Sequence, residues 1–220
     1  MLINADFSQP AFVSYSSAQW RPSPMAGVER LMLDRIGVEK ARATSIVRYA
    51  PGSRFSEHRH DAGEEFMVLE GVFSDATGDF GPGAYVRNPP GSAHAPRSKP
   101  GCVIFVKLRQ FDARDLSRIV MDTNAAEWRL ADGVRRLPLH EFGPERVDLL
   151  DIPEHAMVRT EAGSGGCEFL VLDGSVQVDG TRLGAWSWMR IPDGRESDLL
   201  ALEPSRLYRK RGHLVDVPAP

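Results

Sequence analysis

Cysteine is nearly absent from this chain: Cys102 and Cys167 are the only two in 220 residues, and no Cys-x-x-C pair occurs. That count excludes a disulfide-stapled framework and a cysteine-rich zinc module, and it leaves two buried free thiols as the simplest reading. Long apolar runs are also missing. Nothing approaches the ~20 residues that span a bilayer, and the opening MLINADFSQP has neither a charged leader nor an apolar core. A cytoplasmic location with no membrane partner is expected. A basic excess is missing: 27 Lys and Arg stand against 30 Asp and Glu, the formal net charge is −3, and the longest Lys/Arg tract is Arg209-Lys210-Arg211. A surface that tracks phosphates is therefore excluded, and no nucleic-acid partner is expected. Helical periodicity is absent from the first fifty residues. What the chain does have is punctuation, with 20 glycines and 16 prolines separating short apolar runs in the manner of an all-β chain.

Histidine is sparse as well, yet three of the six fall into two short stretches. In GSRFSEHRHDAGEEFMVLEG (Gly52 to Gly71), alternate side chains of an extended strand share a face, so His58 and His60 point together with Arg59 opposed. Asp61-Ala62-Gly63 has turn chemistry, and Glu64 opens the returning apolar run. In GAYVRNPPGSAH (Gly83 to His94), the corner Asn88-Pro89-Pro90-Gly91 can deliver His94 to the same point. His58, His60, Glu64 and His94 thus make a metal-ligand set. Three imidazoles and a carboxylate suit zinc, iron(II), manganese, nickel or copper, whereas calcium and magnesium want more oxygen. One divalent metal per chain is expected. Whether the centre is closed and structural or open and catalytic stays undecided by the spacing, and no catalytic residue is assigned.

An internal repeat sets the domain organisation. EEFMVLEG (Glu64 to Gly71) returns as CEFLVLDG (Cys167 to Gly174), and RNPPG (Arg87 to Gly91) as RIPDG (Arg190 to Gly194), both at an offset of 103. Phe105 and Lys107 fall on Tyr208 and Lys210 at that same offset, so duplication is the reading. Each half is about the size of a small β-barrel. The expected domains are 1–115, which carries the metal ligands, and 116–220, which does not. At the offset His58, His60, Glu64 and His94 become Glu161, Gly163, Cys167 and Ser197, so no histidine survives. Cys167 then reads as a packed thiol.

The two histidine stretches resemble the cupin signatures. The first, G-(x)5-H-x-H-(x)3-E-(x)6-G, is met at Gly52, His58, His60, Glu64 and Gly71. The second, G-(x)5-P-x-G-(x)2-H-(x)3-N, is met at Gly83, Pro89, Gly91 and His94, with Ser98 in place of the final Asn. The wording from Asp6 to Phe111 resembles more narrowly the cupin domain of ChrR-type anti-sigma factors. The resemblance implies an all-β chain of two cupin barrels (double-stranded β-helix, jelly-roll) in tandem, a bicupin. It implies zinc as the metal and a sensory, small-molecule-binding role. The sigma-gripping helical domain of that type, with its cysteine ligands, has no counterpart here, so sigma-factor binding is not expected. The alternative is an iron(II)-dependent or other redox-metal dioxygenase acting on a small ketone or diketone. Close barrel contact is usual among cupins, and a homodimer fits the resemblance.

Secondary expectations follow from position. Phe55, Phe66, Tyr85 and Phe105 are candidates for the pocket wall, and Trp186 and Trp188 share one strand face. Glu65 faces away from Glu64 as an outer-face charge, and Arg87 either binds an anion or forms a salt bridge. His140, His155 and His213 read as surface or hydrogen-bonding residues. Asp112 to Asp122 reads as a linker, Asn124 to Trp128 as a connector, and the segment around Val28, Leu31 and Leu33 as a strand ending near Gly37 that adds to the partner barrel.

Overall fold

A computed structural model describes residues 1–38, 40–160, 165–215 and 217 of the chain. Among them every regular element is a β-strand apart from one 3-10 turn, Tyr15–Ser17. No helix is long and apolar enough to cross a membrane. The chain divides into two compact units. One comprises Met1–Ala5 and Gln19–Ala126, and the other comprises Asp6–Ala18 and the described residues from Glu127 onward. The expected division lies between 115 and 116. The contacts place it at Ala126/Glu127, because Ile119–Asp122 is a strand of the first unit, paired with Ala84–Asn88.

The first unit is built around the strand Glu64–Gly71, flanked by Cys102–Leu108 on one side and Ala84–Asn88 on the other. Arg42–Tyr49 and Val28–Ile36 extend this sheet, and the latter serves its own barrel rather than a partner. The segment that goes elsewhere is Ala11–Val13, which pairs with Trp188–Ile191 in the second unit. A smaller sheet, Gly78–Phe80, Phe73–Asp75, Arg97–Ser98 and Ser53–Arg54, and the ribbon of His58–His60 with Ser92–His94 complete the barrel. The inward row of the central strand, Phe66 and Val68, packs with Val28, Val47, Phe73, Phe80, Val86, Ile104 and Val106 into an apolar core. Burial of that row, at roughly 25 cal/mol per Å² of apolar surface, is what fixes its register, since a one-residue slip would turn every side chain over.

The second unit repeats the scheme. Its sheet runs Val134–Phe142, Glu145–Ile152, Ser205–Arg211, Cys167–Asp173, Trp188–Ile191 and Ala11–Val13, with Arg129–Ala131 at the outer edge. Cys167–Asp173 stands where Glu64–Gly71 stands in the first unit, as the offset of 103 requires. Trp186 does not share a strand face with Trp188. It sits before the strand at φ 62°, edge-on to Tyr15 with ring centroids 5.2 Å apart, while Trp188 is fully buried. Both cysteines are buried free thiols.

One turn governs the site. Gly63 has φ 78°, and a Cβ there would stand 2.5 Å from the Phe111 ring, so only glycine fits between the histidine-bearing ribbon and the strand that follows.

Candidate metal centre

The ribbon pairs His94 with His58 and Ser92 with His60, which brings the three imidazoles together. Their ring centroids are 4.8–5.0 Å apart, and one ligand nitrogen from each lies within 4.8 Å of the others. The Pro-Gly corner is tied in by the Gly91 amide, which donates to the His60 carbonyl at 2.9 Å. His60 Nε2 and His94 Nε2 face each other at 3.0 Å. Glu64 Oε2 lies 3.4 Å from the first and 3.5 Å from the second. His60, His94 and Glu64 are buried, and His58 is exposed at the mouth.

The surroundings hold this arrangement in place. Asn88 lies opposite Glu64 across the strand pair and donates its amide to Oε2 at 3.2 Å. His94 Nδ1 lies 3.2 Å from Asp75 Oδ2, which leaves Nε2 directed at the centre, and His58 Nδ1 lies 3.2 Å from the Ser56 carbonyl. Burial disfavours ionisation of Asp75. The hydroxyl and amide of Thr77 and the contact with His94 outweigh it and hold the carboxyl below its usual range. A carboxylate behind a ligating imidazole fixes its tautomer and raises its basicity. Asp75→Asn is expected to weaken metal binding about 10–100-fold, read by chelator competition. Neither Asp75 nor Asn88 was found from the sequence. Ser98, at the position where the cupin pattern has Asn, donates its hydroxyl to the Val72 carbonyl at 2.6 Å.

The electrostatics of the cluster ask for a cation. Burial, followed by the coulombic effect of His58, lowers the His60 pKa to about 4. Burial lowers that of His94 as well and raises that of Glu64. Neutral imidazoles with lone pairs facing one another beside a buried carboxyl are the donor set that a borderline divalent metal satisfies. The sign of the pH dependence follows. Because His60 titrates at 6.5 when unfolded and at about 4 when folded, the unfolded chain takes up the proton first. Stability of the metal-free chain is expected to fall as pH drops below about 6.5 and to level off below about 4, with thermal unfolding as the readout.

A cavity of about 500 Å³ borders His58, His60 and Glu64. Its wall includes Val28, Val47, Tyr49, Phe55, Val106 and Leu108, with Arg30 among the charged residues. Of the four expected wall aromatics, Phe55 lines this cavity, and Phe66 lies in the core that supports it. Tyr85 and Phe105 both pair with Met67, next to Phe66 on the central strand, and so lie on the opposite face of the sheet. Glu65 and Arg87 share that face, both buried. Arg87 donates to Glu65 at 2.6 Å and to Asp115 at 2.8 Å, with its guanidinium 4.0 Å from the centre of the Phe111 ring. The stretch read as a linker thus supplies a buried carboxylate. In the second unit Cys167 and Ser197 are buried, while Glu161 and Gly163 lie outside the described residues. His155 is exposed, and His213 Nε2 lies 3.3 Å from Glu168.

Residues 8–112 match the family described as the ChrR cupin-like domain. Solved cupin-fold structures align along nearly the whole chain, through both barrels. The chain has the two-barrel cupin fold. A proposed dioxygenase from Nostoc punctiforme aligns with a TM-score of 0.78 at 16% identity, over 96% of this chain and 85% of that protein. The pirin YhhW of Escherichia coli, solved with nickel(II), aligns at 0.66 and 11% identity over 92% and 98%. Oxalate decarboxylase from Lactobacillus farciminis, solved with formate, aligns at 0.64 and 12% identity over 93% and 86%. At these identities the likeness establishes the fold of the chain and nothing further. No curated protein sequence matches it.

Proposed function

We propose that the first barrel holds one divalent metal through His58, His60, Glu64 and His94, and that the centre is a mononuclear dioxygenase site for a small enolisable ketone or diketone. The observation that carries this reading is the cavity of about 500 Å³ against His58, His60 and Glu64. An ion held by these side chains would keep a face towards a space that accommodates a small substrate, whereas a purely structural ion needs only a closed shell. The bound metal would supply Lewis acidity and, as iron, electrons for dioxygen.

The chain's own groups do the rest. Val28, Val47, Phe55, Val106 and Leu108 give an apolar wall that excludes water. Burial, and then the nearby Glu64 carboxyl, push the Tyr49 pKa up, so its hydroxyl stays protonated as a neutral donor. Arg30 on the same wall supplies a cation that would favour a bound enolate. The Nostoc protein described as a proposed dioxygenase adds a precedent at the level of fold only.

A second reading is a zinc-bound, ligand-sensing domain without turnover, favoured by the match of residues 8–112 to the ChrR cupin-like family. Elemental analysis of the native protein, followed by oxygen uptake after anaerobic iron(II) loading on a panel of diketones and hydroxy-ketones, separates the two. Iron with substrate-dependent uptake supports the oxygenase. Zinc in the native protein and no uptake on any substrate supports the sensor.

A further inference from the structure

The second barrel has kept a cavity at the place where the first has its metal site. It measures about 240 Å³ and is lined by Arg136, Arg159, Thr160, Cys167, Arg209 and Arg211, among others. That is smaller than the roughly 300–1,000 Å³ of sites for drug-sized ligands, so any occupant is small.

The repeat shows what changed. Glu64, Val106 and Leu108 line the first cavity, and at the offset of 103 they become Cys167, Arg209 and Arg211, which line the second. A carboxyl has become a thiol, and two apolar wall residues have become arginines. Burial pushes the Cys167 thiol up to about 12, so it carries no negative charge at neutral pH. A site that once suited a cation now suits an anion.

One arginine is common to both barrels. Arg30 pairs with Val47, and Arg136 pairs with Leu150. Val47 and Leu150 are equivalent at the offset of 103, and each belongs to its barrel's core. Directly opposed residues share a face of the sheet, so Arg30 and Arg136 occupy the same rung and both border the cavity. The duplication has therefore held an arginine where it has lost every metal ligand.

Two of the other arginines that line the second cavity are already held by carboxylates. Arg209 is clamped by Asp148, with its Nε 2.8 Å from Oδ1, and Arg159 by Asp198, with its Nε 2.7 Å from Oδ1. The Nε of Arg136 is buried and has no hydrogen-bond partner among the described residues. Among the described residues of the lining the acid is Asp132. A buried guanidinium nitrogen without an acceptor is costly, and an oxyanion that offers two oxygens satisfies the fork of two N–H groups at once.

We propose that the cavity of the second barrel is a binding site for a small oxyanion, a carboxylate or phosphate, with Arg136 as its principal contact. The test is calorimetric titration of the full metal-loaded chain with inorganic phosphate and, separately, with succinate, at constant ionic strength and with chloride as the reference. Saturable binding of one equivalent of phosphate or of succinate is expected, and whichever binds more tightly identifies the class. Arg136→Gln should weaken it by about tenfold or more, the loss that follows removal of a hydrogen bond to a charged group. Arg30→Gln, which alters the metal cavity alone, should leave it in place. Arg136→Lys keeps the stem and charge without the fork, and it should bind more weakly than the native chain, which covers the case in which Arg136→Gln fails to fold. No saturable heat with either anion, binding unchanged in both Arg136 variants, or loss confined to Arg30→Gln would overturn the proposal.

Discussion

His60→Ala is expected to reduce bound metal from about one ion per chain to less than about a tenth of that after dialysis, because removing a ligating side chain costs more than the roughly 10–100-fold typical of removing a group that merely orients one. The size of the effect follows from position. His60 Nε2 is 3.0 Å from His94 Nε2 and 3.4 Å from Glu64 Oε2, so it stands between two other donors and its loss breaks both contacts. The sheet that forms the core lies behind the ribbon, so the variant should keep its β circular dichroism and lose its ion. His155→Ala, with an exposed imidazole, is the matching control and should retain the metal. Stoichiometric metal in His60→Ala would place the site elsewhere.

Arg87→Ala is expected to destabilise the chain by about 3–5 kcal/mol, the cost of leaving buried carboxylates without their cation. Arg87 is fully buried and bridges Glu65 and Asp115, and both carboxylates are themselves buried. Asp115 anchors the segment that precedes Ile119–Asp122, which in turn pairs with the strand carrying Asn88. The change should therefore loosen one side of the metal centre while touching no ligand. At roughly 2–4 °C per kcal/mol for a chain of this size, the melting temperature should fall by on the order of 10 °C. Arg195→Ala, which breaks the exposed pair with Asp179, should cost no more than about 1 kcal/mol. Equal losses in the two variants would show that the buried cluster has no special weight.

The convergence of His58, His60, Glu64 and His94 could be read from the sequence because it rests on local devices. Alternation along His58–His60, the glycine turn at Gly63 and the corner at Pro89–Gly91 act over a few residues each, and each leaves its mark in residue type. Asn88 and Asp75 were not legible, because they reach Glu64 and His94 from separate strands and neither stands at a spacing that signals its role. Tyr85 and Phe105 were assigned to the cavity by proximity to the motifs. Cross-strand register, which no single strand encodes, puts them level with Met67 and on the other face.

Parity placed Glu65 on the outer side of the sheet, and that is where it lies. The inference from outer side to solvent is what failed, since the face is buried and its charges are bonded to one another. Composition cannot reveal that a sheet is covered on both faces when the second face carries charge. The same blindness hid Ala11–Val13, a three-residue strand too short to show a period, which pairs with residues far along the chain.

The central claim is that one metal sits among three imidazoles and a carboxylate with a face open to the cavity. X-ray absorption at the edge of the native metal tests it most directly, because the edge identifies the element and the fine structure its neighbours. The account predicts imidazole nitrogens and at least one oxygen at roughly 2.0–2.2 Å, no sulfur, and a further light atom beyond the four protein ligands. A sulfur neighbour, a closed shell of four, or a protein with no metal edge at all would contradict it.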